Sequence, residues 1–290
     1  MPDNKSTFIT RVISALLAAA VVFSLGYFGG YQGSQFSVAV VILLAIREYS
    51  RMVFPHCQMP AAAAWLFRAT SLLLFVALYN HFELLLLGRS DIISSDLTAI
   101  EFALANVAFL TGGLWIARGK VSNENILASQ AFATFGMLYC VLFPFFAIRL
   151  LTLPQGLQWF FFLLLVVFFG DTFAYFGGRW FGRRKLMTQV SPNKTWEGAV
   201  SGLAGSSFAG VFYATSAFEG ATWIKTLVFC IVCGMVAQSG DLIISLVKRV
   251  AQVKDSGTIM PGHGGILDRL DGVFIASPLV YAIALYVTPP

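Results

Sequence analysis

The sequence predicts an all-α, polytopic integral membrane protein with about nine transmembrane helices and a cytoplasmic N-terminus. Apolar residues make up 58% of the chain, charged residues only 11%, and the mean hydropathy is +0.77. The apolar runs are separated by short segments rich in Gly, Pro or charge instead of long polar linkers. A helix needs about 20 apolar residues to cross about 30 Å of hydrocarbon, so runs of that length are expected to be membrane spans.

Nine apolar runs have this length. Their approximate limits are residues 10–30, 35–54, 61–79, 97–117, 126–149, 157–179, 197–217, 222–244 and 272–288. Arg47 and Glu48 interrupt the second run, whereas the apolar patch at 84–87 is too short to span. From Asp171 onward the polar residues form three compact blocks, each at the cytoplasmic end of a run. We therefore predict a transmembrane scaffold over residues 1–160 and a catalytic transmembrane region over residues 161–290.

The orientation follows from the 19 Lys and Arg residues. When alternate loops are assigned to opposite sides, all but Arg89, Arg149 and Lys225 fall on one side, which the positive-inside rule identifies as cytoplasmic. The N-terminus then lies inside the cell and the C-terminus outside. The net charge of +5 is explained by this topology signal and by attraction to anionic lipid. We expect no nucleic-acid partner, because the sequence predicts no soluble domain to display a basic face.

The first polar block lies at the cytoplasmic end of the sixth run and carries Asp171, Tyr175 and Arg179. On a helix these residues are spaced by four, so they share one face. A carboxylate at membrane depth is costly unless it is paired or binds a metal, and we expect Asp171 and Arg179 to help bind a substrate. A purely structural Asp171–Arg179 ion pair at the membrane interface is the alternative.

The second block reads SPNKTWEG over residues 191–198. Ser191 followed by Pro192 is typical of a helix start, with Ser as the cap and Pro in the first turn. Lys194 would then lie where a helix N-terminus attracts anions, and a phosphate fits there. The predicted substrate-binding residues of this block are Ser191, Lys194, Thr195 and Glu197. Alternatively, the block is only a capped helix start with Trp196 as an interface anchor.

The third block begins inside the eighth run, where one helix face would carry Asp241, Ser245, Lys248 and Arg249. It continues through a loop with Gly at 262, 264 and 265, which lets the backbone bend sharply. The returning chain would bring Asp268 to face Asp241, and two such carboxylates suit a divalent cation such as magnesium. For His263 alone, a hydrogen bond within the turn is favoured over metal ligation. The alternative for the whole block is a solvated cytoplasmic loop.

The residues from Ser245 through Asp271 closely resemble the signature of the phosphatidate cytidylyltransferases, also called CDP-diacylglycerol synthases. The shared pattern is Ser-x2-Lys-Arg-x4-Lys-Asp, then Pro-x-His-Gly-Gly and Asp-Arg-x-Asp, with every spacing kept. The blocks at 171–182 and 191–198 also resemble this family. Two departures are Met260, where Leu, Ile or Phe is usual, and Phe173, where many members carry Gly. The second change is expected to place a bulky ring near the pocket.

The resemblance implies that CTP and phosphatidate in the bilayer react to give CDP-diacylglycerol and pyrophosphate for phospholipid biosynthesis. The implied catalytic residues are Asp241, Ser245, Lys248, Arg249, Lys254, Asp255, His263, Asp268, Arg269 and Asp271. Asp241 and Asp268 are the implied ligands of Mg²⁺, and an additional monovalent cation and a homodimer stay open. The expected location is the bacterial inner membrane, with the active site facing the cytoplasm.

Two other functions fit parts of the sequence. A transporter could use Asp171 and Asp241 to relay protons or to bind a coupling ion, but transporters usually show repeated halves, and this chain has no visible repeat. The second alternative keeps the fold and changes the substrate, since related membrane enzymes use CTP to phosphorylate polyprenols or to activate archaeal ether lipids. The complete acidic and basic set favours an enzyme over a non-catalytic assembly protein.

Overall fold

The computed structural model describes residues 4–86, 95–218, 220–259 and 264–287, with side chains described from residue 29 onward except at 81–86 and 95–97. Within these residues the chain is almost entirely helical. The helices are α1 (Asn4–His56), α2 (Ala61–Leu86), α3 (Ser95–Ala117), α4 (Asn123–Met137), α5 (Phe143–Leu151), α6 (Gly156–Phe181), α7 (Trp196–Ala217), α8 (Trp223–Val250) and α9 (Leu267–Val287). Two short strands, β1 (Lys185–Met187) and β2 (Ser191–Thr195), lie between α6 and α7.

The predicted all-α membrane class is confirmed. In the described part of the chain, six helical stretches are long and apolar enough to cross a membrane, and they correspond to the third to sixth, eighth and ninth predicted spans. The first two predicted spans both fall in α1, where Gly30 has a non-helical φ of 53° and ψ of −134°. Because glycine lacks a Cβ, it can turn the chain there without a steric penalty. The total of nine spans stays a prediction.

The fifth predicted span is composite, since a π-helical segment, Leu138–Leu142, joins α4 to α5. Pro144 lies in the first turn of α5. Proline has no backbone N–H and its ring clashes with the preceding helical turn, and a local change in helical pitch accommodates both effects. The helical stretch from Asn123 to Leu151 is therefore continuous, and it is long and apolar enough to cross a membrane.

Helices α6 and α7 approach each other closely through small residues. A Cβ added at Gly170 of α6 would collide with the Ser206 hydroxyl of α7, and one added at Gly205 of α7 would collide with Phe173 of α6. The Ser206 hydroxyl donates to the Val166 carbonyl oxygen across this interface, at 2.8 Å. Close backbone approach through small residues is a usual way for membrane helices to associate. The pair thus holds the first polar block against the end of the second, where Gly178 faces Thr195 and Gly198.

Helix α9 packs against α8, α5 and α6. The Tyr139 hydroxyl donates to the Asp271 carbonyl oxygen at 3.3 Å, and the Ser277 hydroxyl donates to the Phe143 carbonyl oxygen at 2.6 Å. These bonds satisfy buried polar groups within the bundle, as a low-dielectric surrounding requires. The division at residue 160 between a scaffold and a catalytic region stays a prediction. Both of these hydrogen bonds join residues on opposite sides of that division.

The predicted helix start at Ser191 is wrong. Residues Ser191–Thr195 form β2, which pairs antiparallel with β1 and sets Met187 opposite Ser191 and Lys185 opposite Thr195. In a two-stranded ribbon each strand has a free edge, where the missing N–H of Pro192 costs no ladder bond. Helix α7 begins at Trp196 instead, and the Thr195 side chain is its N-cap, accepting from the Gly198 N–H at 3.1 Å.

Candidate active site

The second and third polar blocks meet at Asp241, in the C-terminal half of α8. The Lys194 ammonium, on β2, lies 2.7 Å from Asp241 Oδ2, and the Ser245 hydroxyl one turn along α8 donates to Asp241 Oδ1 at 3.2 Å. The side chains of Lys194 and Asp241 are 26% and 37% exposed, so a ligand can reach both. The expected helix face is confirmed for Asp241 and Ser245, and Lys194 comes to it from a strand.

Two more carboxylates lie near Asp241, one from α6 and one from α9. The charges of Asp171, Asp241 and Asp271 interact with one another, and those of Lys194 and Arg269 act on Asp171. Asp271 is buried, and its Oδ1 accepts from the Gly272 N–H at 2.8 Å. Three helices therefore each bring a carboxylate within electrostatic reach of the other two.

Asp268 forms a second ion pair, at the start of α9. Its Oδ1 lies 2.6 Å from the Lys248 ammonium of α8. Its Oδ2 accepts from the Ser256 N–H at 2.8 Å, from the Ser256 hydroxyl at 3.0 Å and from the Gly265 N–H at 3.1 Å. Both carboxylate oxygens therefore have partners on the loop or on α8, and the loop between the two helices folds around Asp268.

The chain turns into this loop through a left-handed residue at the end of α8. Gln252 has a φ of 57°, its N–H donates to the Arg249 carbonyl oxygen, and the Val253 N–H donates to the Lys248 carbonyl oxygen at 2.9 Å. This pair of bonds is a Schellman motif, which satisfies the last carbonyls of a helix and reverses the chain. The predicted return of the loop is confirmed. His263 and Met260 lie outside the described residues.

Two of the predicted site residues, Arg249 and Glu197, bind the β-hairpin or the segment that leads into it. Neither takes part in the two ion pairs. Arg249 Nε donates to the Val190 carbonyl oxygen at 3.1 Å, which ties α8 to the hairpin. Glu197 accepts from the Arg183 N–H at 3.0 Å and from the Arg184 N–H at 3.2 Å, which fixes the segment that leaves α6. These two side chains shape the position of β2, and with it the position of Lys194.

Other predicted residues lie at the surface of the site. Lys254, Asp255 and Arg269 are exposed. Arg179 is also exposed, and its Nη1 donates to the Tyr175 hydroxyl at 3.2 Å. The alternative of an Asp171–Arg179 ion pair is wrong for this structure, because Arg179 binds its neighbour one turn away while Asp171 interacts with Lys194, Arg269 and Asp241.

Phe173 lies against α7. Its ring stacks on Phe169 with centroids 6.4 Å apart, and its Cβ and Cγ fill the space that a side chain at position 205 would need. The bulky residue on α6 is therefore matched by Gly205 on α7. The ring takes part in the helix interface.

Sequence reasoning missed Glu48, which is 3% exposed and binds the start of α9 from α1. The sequence pattern indicated Glu48 only as a charged residue that interrupts the second apolar run. A charged side chain inside such a run was itself the available signal, since buried carboxylates in membrane helices need specific partners.

The described residues contain no group of three or more His, Cys, Asp or Glu side chains arranged to hold a metal ion. Asp241 and Asp268 nevertheless each bind an ammonium group, from Lys194 and Lys248. Their oxygens are hard donors of the type that magnesium prefers, and both positions attract cations. The donor chemistry therefore fits the expected Mg²⁺, and the metal assignment stays a prediction.

Comparison with known proteins covers almost the whole chain. The model of the cytidylyltransferase family matches residues 9–287. A phosphatidate cytidylyltransferase of Brucella abortus is 30% identical over 98% of this chain and 96% of its own length. One from Synechocystis is 30% identical over 96% and 97%, and one from Bacillus subtilis is 28% identical over 97% of each chain. The similarity thus includes α1 to α5 as well as the motif-bearing helices.

Proposed function

The chain belongs to the cytidylyltransferase family, and we propose that it transfers CMP from CTP to phosphatidate, giving CDP-diacylglycerol and pyrophosphate. The relatives that match over nearly full length carry the name phosphatidate cytidylyltransferase. The observation that carries the proposal is the pairing of Lys194 with Asp241 and of Lys248 with Asp268, which gathers the second and third motifs around the C-terminal half of α8 and the start of α9.

The reaction brings two anions together. A phosphate oxygen of phosphatidate attacks the α-phosphorus of CTP, and the bond from that phosphorus to the oxygen bridging to the β-phosphate breaks, so that pyrophosphate leaves with the electron pair. The attacking phosphate is already a nucleophile, so no covalent enzyme intermediate is required. Cations placed around the reacting phosphates lower the repulsion between them and stabilise the charge that develops on the leaving group.

We assign this charge neutralisation to the basic residues around the two ion pairs. Lys194 and Lys248 are already at the site and can exchange a carboxylate for a phosphate oxygen. Arg269 follows Asp268 in the chain and Lys254 lies in the loop between α8 and α9; both are exposed, and we propose that they bind phosphate as well. Ser245 can donate to a phosphate oxygen in place of Asp241. Thr195 presents the N-terminus of α7 nearby, where backbone N–H groups favour an anion.

We further propose that Mg²⁺ is held by Asp241 and Asp268, with Asp171 and Asp271 adding negative charge near Asp241. When bound, the ion would supply additional charge neutralisation on the triphosphate. A monovalent cation could share the same carboxylates. The predominance of Lys and Arg in the loops on one side supports an inner-membrane protein whose site faces the cytoplasm.

The decisive experiment uses the protein in detergent with magnesium, a panel of lipids and CTP labelled in parallel reactions at the α-phosphate, which follows CMP transfer, or at the γ-phosphate, which follows transfer to a polyprenol, and resolves the labelled lipid products. We expect label in CDP-diacylglycerol with phosphatidate, and none with a polyprenol or an archaeal ether lipid. Label transferred mainly to either of those lipids would move the protein to another CTP-dependent reaction. A matched pair on α8 controls the assay, since Lys248→Met should abolish product and Lys225→Met, at the opposite end of that helix, should leave it unchanged.

A further inference from the structure

Glu48 is a buried carboxylate on α1 that the proposed chemistry does not use. Its side chain is 3% exposed, and it forms no ion pair with any residue that the structure describes. A buried carboxylate without a cation is expensive unless several donors bind it. Glu48 must therefore obtain its stabilisation from hydrogen bonds.

In the described part of the chain, the bonds to its carboxylate come from the loop between α8 and α9 and from the start of α9. Glu48 Oε1 accepts from the Ile266 N–H at 3.0 Å, and Oε2 accepts from the Leu267 N–H at 3.1 Å. The N–H groups at a helix N-terminus have no partner within the helix, and a carboxylate there also interacts favourably with the helix dipole. Glu48 thus anchors the backbone immediately before Asp268.

Ser256 connects Glu48 directly to Asp268. Its hydroxyl lies 3.2 Å from Glu48 Oε2 and 3.0 Å from Asp268 Oδ2. A hydroxyl has a single proton, so the two carboxylates share one donor. Since Asp268 also binds the Ser256 N–H at 2.8 Å, its Oδ2 is placed by the same residue that Glu48 holds.

Two glycines leave room for this carboxylate. A Cβ added at Gly257 or at Gly265 would collide with the Glu48 side chain, and one at Gly265 would also collide with the Ser256 hydroxyl. The loop is therefore shaped around Glu48 on both sides, and Gly265 itself donates to Asp268 Oδ2. Such packing restricts the carboxylate to a single position.

We propose that Glu48 is a positioning residue for the transfer reaction, which holds Asp268 in place through Ser256 and the first turn of α9. The expected loss of kcat rests on the proposed function. The anchoring of the first turn of α9 rests on the hydrogen bonds alone. Misplacing a reacting group by a small distance slows the chemical step while substrate binding is largely kept. A cap that only stabilised the fold would alter the amount of active protein and not the rate of each molecule.

The test replaces Glu48 by Gln, which keeps the size and removes the charge and one acceptor. We expect Glu48→Gln to lower kcat by about tenfold, with the KM values for CTP and phosphatidate changed by less than about twofold. Glu101→Gln, in α3, is the matched control and should leave kcat unchanged. Hydrogen exchange at the Ile266 and Leu267 amides should accelerate in the Glu48 variant whether or not the assay shows activity.

Combining variants separates positioning from general stability. If Glu48 acts through Asp268, then Glu48→Gln should cause no further loss of kcat in an Asp268→Asn background, and it should be non-additive with Ser256→Ala. The proposal would be overturned if Glu48→Gln lowered kcat by the same factor in the Asp268→Asn and Ser256→Ala backgrounds as in the wild type. A Glu48→Gln variant with normal kcat would overturn it as well. Should Glu48→Gln fail to fold, Ser256→Ala alone must still lower kcat with little change in KM. If the wild-type protein formed no CDP-diacylglycerol, the proposed reaction would be refuted. If hydrogen exchange at the Ile266 and Leu267 amides were unchanged in the Glu48 variant, the anchoring of α9 by Glu48 would be refuted.

Discussion

Lys194 and Asp241 form an ion pair, with Nζ and Oδ2 2.7 Å apart, that joins a strand outside the helical bundle to a residue inside α8. Lys194 can lie there because Arg249 holds the hairpin that carries it and Glu197 holds the segment that leads into that hairpin. The charge of the ammonium also acts on Asp171 and Asp271. A bound triphosphate would offer Lys194 a competing partner of higher charge.

The first prediction concerns this lysine. Lys194→Ala should raise the KM for CTP by about tenfold, or about 1.4 kcal/mol of lost binding, and should change the KM for phosphatidate much less. The reason is that the ammonium can bind the triphosphate from the hairpin side. Steady-state kinetics with each substrate varied in turn measure both constants. Lys185→Ala, on the other strand of the same hairpin, is the control, and an unchanged CTP constant in the Lys194 variant would remove the hairpin from the nucleotide site.

The second prediction concerns the two paired carboxylates. Asp241→Asn and Asp268→Asn should each lower turnover at least about a hundredfold, which corresponds to about 2.7 kcal/mol of transition-state stabilisation. Turnover at saturating CTP and phosphatidate, over a magnesium titration, is the measurement. Glu124→Gln, an exposed carboxylate at the start of α4, should behave as the wild type. Near-normal activity of a monodisperse Asp variant at limiting magnesium would refute its role in holding the metal.

The third prediction separates the two candidate caps of α7. Thr195→Ala should lower the free energy of unfolding by about 1 kcal/mol, because it removes the acceptor for the Gly198 N–H. Ser191→Ala should have a much smaller effect, since Ser191 lies in the strand and not at the helix start. Thermal unfolding of both variants in the same detergent compares them. Greater destabilisation by Ser191→Ala would place the helix start at Ser191 after all.

The fourth prediction concerns sidedness. Asn193 and Thr222 are exposed and lie beyond opposite ends of α7, so cysteines introduced there should react with an impermeant maleimide from opposite sides of the membrane. We expect Asn193→Cys to react from the cytoplasm and Thr222→Cys from outside. The four native cysteines are buried, so the wild type gives the background. Labelling of both positions from one side would contradict the predicted topology.

The sequence by itself determined the membrane class, the family and the approximate positions of the six long apolar helices found in the described part of the chain, while the residues assigned to the chemistry stay a prediction. Apolar runs are local in the chain, and the cost of exposing polar backbone to lipid makes each run a helix almost regardless of its neighbours. The spacing of Asp241 and Ser245 likewise placed both on one face, because helical geometry is local too. Family membership could be inferred from the same short stretches, since their spacing is kept without gaps.

Only the tertiary structure decided which partners these residues have. Ser191 and Pro192 suit a helix start and an edge strand equally well, and pairing with β1 settled the choice in favour of the strand. Glu48 could not be connected to Asp268 from the sequence, because the bonds that join them form between distant parts of the chain once α1 packs beside α9. Lys194 and Asp241 meet for the same reason, since no local pattern specifies contact between a hairpin and a helix that are separated by the whole of α7.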